Sequence, residues 1–130
     1  MGKAFKNIEM EQMIAQLEPL LGRNDLIGYA AARNTRILMD ETTEYRDLRH
    51  DLVMEYGTPE KGDDGNETGR YELRFDSPSW PAYEKEITEW AMLEHEPDVY
   101  KIPAKSAIGQ LTGKEMLDLE WMLEFEDEDA

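Results

Sequence analysis

The sequence predicts an α+β fold that is mostly helical, with one long central helix, three shorter helices and a small two-stranded β-sheet. Apolar residues recur at steps of three and four over most of the chain, as in amphipathic helices. Only the segments 71–75 and 98–103 have the composition of strands. A hydrophobic content of 40% over 130 residues indicates one folded domain, 1–130, rather than a disordered acidic chain.

Two helices are predicted in the first half of the chain. The first covers residues 7–21, and Pro19 should kink it or end it early because proline lacks a backbone donor. The dominant element covers residues 26–56, contains no proline and ends before Gly57. A single helix of this length would span roughly 46 Å, so we expect it to protrude or to bend near residues 34–40.

The middle of the chain predicts a loop, a strand pair and a third helix. Residues 58–70 hold three glycines and a proline, which is typical of a mobile loop. The alternation in 71–75 predicts a half-buried strand, and its expected partner is the strand at 98–103. Ser79 is the predicted N-cap of a helix that ends before Pro97.

The last predicted helix begins with clear local signals. Thr112 and Glu115 are spaced as a capping box, and Leu111 and Met116 fit a hydrophobic staple. The helix is more apolar than one face requires, so part of it is predicted to meet a partner chain. The acidic tail 126–130 is expected to fray. The surplus apolar residues are Leu117, Trp121 and Leu123.

Acidic residues dominate the chain, and their excess is uneven. There are 30 Asp and Glu against 14 Lys and Arg, which gives a formal net charge of -16. Residues 115–130 hold eight acids and no base. Such a surface repels phosphate groups and attracts basic protein surfaces over about 10 Å. The charge therefore disfavours direct nucleic-acid binding and favours a basic protein partner.

Composition also bounds the chemistry and the location. No cysteine is present, which excludes disulfides, thiolate metal sites and cysteine nucleophiles. The N-terminal residues lack the apolar run of a signal peptide, and no stretch reaches the roughly 20 apolar residues of a membrane span. A cytoplasmic protein without membrane attachment or cofactor is the expectation.

The two histidines and one loop are the candidates for catalytic or metal-binding chemistry. Asp47 and His50 share a helix face, but no further ligand is identifiable, so a solvent-exposed helix is the favoured interpretation. His95 is expected near a helix C-terminus, where a protonated imidazole suits the dipole. The loop 64–69 matches the first half of a calcium loop, but Phe75 stands where the bidentate glutamate should be. A simple turn is therefore favoured there.

Four arginines on the predicted long helix are interleaved with acids, and we expect them to form pairs within the helix. No glycine-rich phosphate loop or nucleophile elbow is present, which makes an enzyme the less favoured class. The four arginines are Arg33, Arg36, Arg46 and Arg49.

Seven short segments carry a resemblance to a known family. They are Ala-Ala-Arg-Asn-Thr-Arg (31–36), Tyr-Arg-Asp-Leu-Arg (45–49), Glu-Tyr-Gly (55–57), Asp-Gly-Asn (64–66), Tyr-Glu-Lys-Glu-Ile (83–87), Val-Tyr-Lys-Ile (99–102) and Leu-Thr-Gly-Lys-Glu-Met-Leu-Asp-Leu-Glu-Trp-Met (111–122). With these segments the chain resembles a family of small phage and prophage proteins of unknown function from Gram-positive hosts. The resemblance implies a phage-encoded protein that acts in the cytoplasm of a bacterial host, and it implies no catalytic residue.

The leading hypothesis is a non-enzymatic protein that binds a basic protein surface. Its concrete form is an anti-defence inhibitor, similar to an anti-CRISPR protein, that mimics DNA and occupies the phosphate-binding groove of a nucleic-acid-binding host protein. The candidate partner-binding residues lie on and after the last helix. They are Glu115, Asp118, Glu120, Trp121, Glu124, Glu126, Asp127, Glu128 and Asp129.

Two other hypotheses stay open at this stage. The chain could be an accessory or adaptor protein of phage morphogenesis that oligomerises, for example as a homodimer, through its long helix and its apolar last helix. The acidity would then only keep the protein in solution. A small hydrolase with a metal centred on His50 is the third hypothesis.

Overall fold

The computed structural model describes residues 3–125, and this range is α+β with more than half of its residues in helices. The predicted fold class is therefore confirmed at this level. In chain order the elements are β1 (Phe5–Lys6), α1 (Asn7–Leu17), a 3-10 turn (Glu18–Leu20), α2 (Leu26–Glu41), α3 (Thr43–Tyr56), β2 (Thr58–Lys61), β3 (Glu67–Glu72), α4 (Trp80–Ala91), β4 (Glu94–His95), β5 (Ile102–Pro103), a 3-10 turn (Ala104–Ser106), α5 (Gly113–Asp118), a 3-10 turn (Glu120–Met122) and β6 (Leu123–Glu124).

The chain divides into two compact units. The discontinuous unit runs up to Thr42 and resumes at Glu94, whereas the inserted unit spans Thr43–Leu93. The discontinuous unit holds α1, α2, α5 and two of the small sheets, and the inserted unit holds α3, α4 and the third sheet. That residues 1–130 form a single domain stays a prediction.

The discontinuous unit is organised around one apolar cluster. β1 pairs with β4 in antiparallel fashion, and β5 pairs with β6 in parallel, so two-residue strands tie the two halves of this unit together. Helix α1 contributes its apolar face and ends at Leu17, ahead of a 3-10 turn that contains Pro19. Pro19 therefore ends the helix early, as predicted. The buried cluster comprises Phe5, Met10, Met13, Leu17, Leu20, Ile27, Ala30, Ala31, Leu38, Ile102, Ala104, Ala107, Leu111, Leu119, Met122 and Leu123.

The predicted long helix over 26–56 is wrong as a single element, because Thr42 separates α2 from α3. Thr42 is fully buried, and its hydroxyl donates to the backbone oxygen of Leu38 at 2.8 Å. A buried hydroxyl needs such a partner, and back-bonding of this kind competes with regular helical geometry. The backbone of Thr42 has φ -97° and ψ 7°, which lies outside the helical region.

Residues 34–40, where a bend was expected, lie within the continuous helix α2. Asn34 is fully buried in the middle of α2, and its amide bonds the backbone of Tyr100 in both directions. Asn34 Nδ2 donates to the Tyr100 oxygen at 2.8 Å, and the Tyr100 N–H donates to Asn34 Oδ1 at 2.6 Å. Asn34 therefore holds the strand-like segment around Tyr100 against the helix.

Residues 58–70, predicted as a loop, form a β-hairpin in the inserted unit. β2 pairs with β3 in antiparallel fashion with a register shift between Pro59 and Lys61. The turn is closed by Asp64 and by Gly65, which has φ +82°. Almost the whole hairpin is exposed, so periodic burial could not mark its strands in the sequence. That this segment is mobile stays a prediction.

The strand predicted at 71–75 ends early and does not pair with 98–103. β3 stops at Glu72, and Phe75 is 83% exposed, which contradicts the expected half-buried alternation. Ile102 pairs with Leu123 in the discontinuous unit. The expectation of one sheet is therefore wrong, and residues 3–125 contain three sheets of two strands each.

Helix α4 agrees with the prediction for the third helix. Ser79 is its N-cap residue and Pro81 lies in its first turn, as expected from the local sequence. The Ser79 side chain makes no cap hydrogen bond; its N–H instead donates to Ser77 Oγ at 3.2 Å.

The last helix starts as predicted but is much shorter. The Thr112 hydroxyl accepts from the Glu115 N–H at 3.1 Å, and the Thr112 N–H donates to Glu115 Oε1 at 2.9 Å, which confirms the capping box. Helix α5 ends at Asp118 and the chain then forms a 3-10 turn and β6. Pairing of β6 with β5 requires extended backbone, so a helix cannot continue through Leu123.

Candidate functional site

A groove lies in the discontinuous unit, close to the end of the described chain. It has a volume of about 780 Å³ and is open to solvent along one side. Three chain segments line it: the N-terminal strand, the segment between β4 and β5, and the end of the described chain. Its lining residues are Lys3, Phe5, Glu96, Pro97, Asp98, Val99, Lys101, Glu120, Trp121, Glu124 and Phe125.

The groove combines an apolar floor with an acidic rim. Phe5 and Trp121 supply aromatic surface, and Phe125 is 57% exposed at its edge. Four carboxylates surround this floor against two lysines, Lys3 and Lys101. Lys3 Nζ lies 5.6 Å from the centre of the Phe5 ring, within cation–π range. The four rim carboxylates belong to Glu96, Asp98, Glu120 and Glu124.

The carboxylates on the C-terminal side are oriented by buried neighbours. Leu119, Met122 and Leu123 are nearly fully buried and anchor the 3-10 turn and β6 to the core. The residues between and after these anchors, Glu120 and Glu124, are exposed. The opposite side of the groove is positioned by the bonds from Asn34 to the Tyr100 backbone described above.

A smaller hollow adjoins the groove. It has a volume of about 230 Å³ and shares Lys3, Phe5, Glu120 and Trp121 with the groove. Two polar atoms in its lining, Gln16 Oε1 and Trp121 Nε1, are buried and have no hydrogen-bond partner within the described part of the chain. Trp121 therefore lies in the walls of both concave features.

The predicted partner-binding residues fall into three groups. Glu120, Trp121 and Glu124 line the groove, so the structure brings these three together. Glu115 closes the capping box of α5, and Asp118 accepts from Lys114 Nζ at 2.9 Å while lining the smaller hollow. The predicted residues Glu126, Asp127, Glu128 and Asp129 lie outside the described residues.

The three surplus apolar residues of the last predicted helix lie in different environments. Leu123 belongs to the core and Trp121 packs against it, so both contribute to folding of the discontinuous unit. Leu117 is 70% exposed and lines the smaller hollow. Of the three residues, Leu117 is the one that presents most of its surface to solvent.

Four charged groove residues were missed by sequence reasoning: Lys3, Glu96, Asp98 and Lys101. Glu96, Asp98 and Lys101 lie in or beside the segment 98–103, which the sequence predicted as a strand paired with 71–75. The usable signal was the acidic run Glu-His-Glu-Pro-Asp over 94–98, in which Pro97 prevents regular pairing.

Neither histidine lies in a metal site within residues 3–125, where no group of three or more potential metal ligands occurs. His50 is exposed on α3. His95 lies in β4, not at the end of α4, and its Nδ1 is 3.2 Å from Glu41 Oε1. Glu41 lies near the end of the first part of the discontinuous unit, and His95 lies near the start of its second part. The contact between them therefore connects the two parts of this unit.

The loop 64–69, which resembles part of a calcium loop in sequence, begins with a hydrogen-bonded turn. Asp64 Oδ1 accepts from the Asn66 N–H at 3.0 Å, and Oδ2 accepts from Asn66 Nδ2 at 3.2 Å. These bonds to Asn66, the backbone N–H first, lower the pKa of Asp64 below its ordinary value. The carboxylate is thus oriented toward its own turn.

Two of the four arginines expected to pair with acids do not do so. Within residues 3–125 neither Arg33 nor Arg36 makes an ion pair. Arg33 instead lies over the ring of Tyr100, with its Cζ 4.5 Å from the ring centre. On α3, Arg49 lies over Tyr45 at 5.2 Å. Aromatic faces therefore compete with carboxylates for these cations.

Comparison with known proteins finds no match to a family model, to a curated protein or to a solved structure. The resemblance to phage proteins stays a prediction. No helix of the described range has both the length and the apolar character that crossing a bilayer requires.

Proposed function

We propose that this is a phage-encoded, non-enzymatic protein of the bacterial cytoplasm that binds a basic surface of another protein through the groove. The observation that carries the proposal is the combination of an aromatic floor with four rim carboxylates against two lysines. The natural complement is a protein segment in which Lys or Arg alternates with apolar side chains.

Electrostatics support this class of partner. The whole chain carries a formal charge of -16, so a basic segment is attracted before contact, within about 10 Å. Exposed ion pairs contribute only about 0–1 kcal/mol each, so the apolar floor supplies the rest of the affinity. An acidic surface that occupies a phosphate-binding groove would inhibit a nucleic-acid-binding host defence protein, which is the specific form of the proposal.

A labelled peptide in which arginine alternates with leucine tests the groove. We expect Glu120→Gln combined with Glu124→Gln to weaken peptide binding about tenfold and to reduce its dependence on salt. Fluorescence anisotropy at low and at physiological salt measures both effects. Phe125→Ser should weaken binding further, because it removes exposed aromatic surface at the groove edge.

A matched control separates the groove from the overall charge. Glu55→Gln combined with Glu67→Gln removes the same charge from exposed positions of the inserted unit, and peptide binding should stay within about twofold. Equal loss in both double variants would contradict a groove site and leave only a diffuse charge effect.

The specific inhibitory role needs a functional readout. A candidate nucleic-acid-binding defence protein should lose DNA binding when this protein is added, and more DNA should restore it. Neutralising Glu124, Glu126, Asp127, Glu128 and Asp129 together should abolish the inhibition. Inhibition that is indifferent to salt and to these substitutions would refute DNA mimicry.

A second candidate function is an adaptor of phage assembly that acts as an oligomer. The observation that favours it is the exposure of Leu117 at 70% beside the smaller hollow. Oligomerisation through one continuous long helix is not part of this proposal, because Thr42 separates α2 from α3. A stable dimer in light scattering that dissociates in Leu117→Ser would favour this role, and a strict monomer at high concentration would exclude it.

A further inference from the structure

One face of α2 carries a hollow of opposite chemistry to the groove. It has a volume of about 320 Å³ and is lined by Tyr29, Ala32, Arg33 and Arg36. Tyr29, Arg33 and Arg36 follow one another at steps of four and three residues, so they lie on one face of the helix. The small side chain of Ala32 leaves the space between the larger ones open. Two arginines therefore flank a concave site in a strongly acidic protein.

Arg33 is held in place by two aromatic side chains. Its Nη1 donates to the Tyr29 hydroxyl at 3.2 Å, and its guanidinium lies over the ring of Tyr100. Tyr29 and Tyr100 themselves meet edge to face, with ring centres 5.6 Å apart. The bond to Tyr29 uses one of the five guanidinium N–H groups of Arg33, so four donors remain for a ligand.

The positive charge of this hollow is not neutralised locally. Neither Arg33 nor Arg36 makes an ion pair with any acid of residues 3–125, although Asp40 follows Arg36 by one helical turn. By contrast, Arg23 in the same unit bonds Asp25 at 2.6 Å. Unpaired arginines with one oriented guanidinium are the side chains that proteins use to bind oxyanions in bidentate fashion.

We propose that Tyr29, Arg33 and Arg36 form a binding site for the phosphate group of a small molecule. Two cationic side chains match the charge of a phosphate dianion, whereas a carboxylate would need only one of them. The hollow has room for a phosphate and part of the group that carries it, and the exposed ring of Tyr29 offers a surface for stacking. None of the residues that line this hollow lines the groove.

Titration of the folded protein with inorganic phosphate tests the site. Ionic strength is kept constant with chloride, and the amide and Arg33 Nε–H signals are followed by NMR. We expect a saturable shift confined to residues on this face of α2. Arg33→Gln and Arg36→Gln should each weaken binding about tenfold. Arg74→Gln, which removes the same charge from an exposed pair in the inserted unit, should leave it within twofold.

A second titration with adenosine monophosphate shows what surrounds the phosphate. Tighter binding than inorganic phosphate, reduced by Tyr29→Ala, supports the site and adds stacking on Tyr29. Equal binding supports recognition of the phosphate group alone. Shifts that do not saturate, that spread over the molecule or that persist in both arginine variants would overturn the proposal, provided far-UV circular dichroism shows that the variants are folded.

Discussion

The discontinuous unit buries sixteen apolar residues in one cluster, whereas the inserted unit buries four apolar side chains within the described range. Both units contain helices and a two-stranded antiparallel sheet, so the difference does not arise from secondary structure. The hairpin of β2 and β3 is almost wholly exposed, while β5 and β6 carry the buried residues Ile102 and Leu123. The four buried residues of the inserted unit are Tyr45, Leu52, Tyr83 and Ala91.

From this comparison we expect stability and the candidate binding sites to be distributed unevenly between the two units. Buried apolar area is the main stabilising contribution in folding, so the discontinuous unit should unfold at higher free energy than the inserted one. The groove and the hollow on α2, where we propose a phosphate site, also belong to the discontinuous unit. Rigid elements position such sites better than mobile ones do.

Removal of the inserted unit is the strongest test. Residues 43–93 are replaced by a short glycine–serine linker. The chain ends that it joins adjoin Glu41 and His95, whose side-chain atoms Oε1 and Nδ1 lie 3.2 Å apart. We expect the shortened chain to unfold cooperatively in urea, because its core cluster is retained. Trp121 is then the sole tryptophan and reports the transition by fluorescence.

The converse fragment completes the comparison. A chain of residues 43–93 alone should show no cooperative unfolding, because so few apolar residues are buried in it. A cooperative fragment together with an unfolded shortened chain would reverse the assigned order of stability.

Substitution of Asn34 should produce the next largest effect. Asn34→Ala leaves the N–H and the carbonyl oxygen of Tyr100 without their partners, and each such loss costs about 1–3 kcal/mol. We expect the free energy of unfolding to fall by about 3 kcal/mol and the Tyr100 amide to exchange faster with solvent. Amides of α4 should keep their exchange rates if the units unfold separately. Loss of protection across both units would show that they unfold as one.

The smallest expected effect concerns Asp25, the N-cap of α2. Its pKa lies below the ordinary value, first because the Arg23 side chain bonds its carboxylate and next because the Gly28 N–H does. Since the folded pKa is lower than the unfolded one, ionised Asp25 stabilises the fold above about pH 4. That stability is lost as the pH falls through the folded pKa.

Asp25→Asn measures this contribution, because asparagine also caps a helix but does not titrate. The difference in urea midpoint between wild type and variant should be present at about pH 7 and shrink toward about pH 2. Asp64→Asn is the counterpart in the hairpin, and it should alter the inserted unit while leaving the main transition unchanged. A difference for Asp25→Asn that is constant with pH would contradict the assignment.

Part of the candidate site could be predicted from the sequence. Glu120, Trp121 and Glu124 were recognisable because an acidic, aromatic segment follows a clear helix start. Glu96 and Asp98 were not, because they reach the groove only when Asn34 binds the Tyr100 backbone across 66 positions of sequence. The pairing of Arg33 was predicted wrongly for a related reason: its guanidinium lies over the ring of Tyr100 and not beside an acid of its own helix.

What the sequence alone determined about this protein is its charge, its mostly helical class and the features that depend on a few neighbouring residues. Pro19 ends a helix by sterics, and Thr112 with Glu115 starts one by two local hydrogen bonds. The tertiary structure decided the break at Thr42 and the pairing of Ile102 with Leu123. The physical reason is that burial and strand pairing depend on groups distant in sequence, whose contacts exist only once the chain has folded.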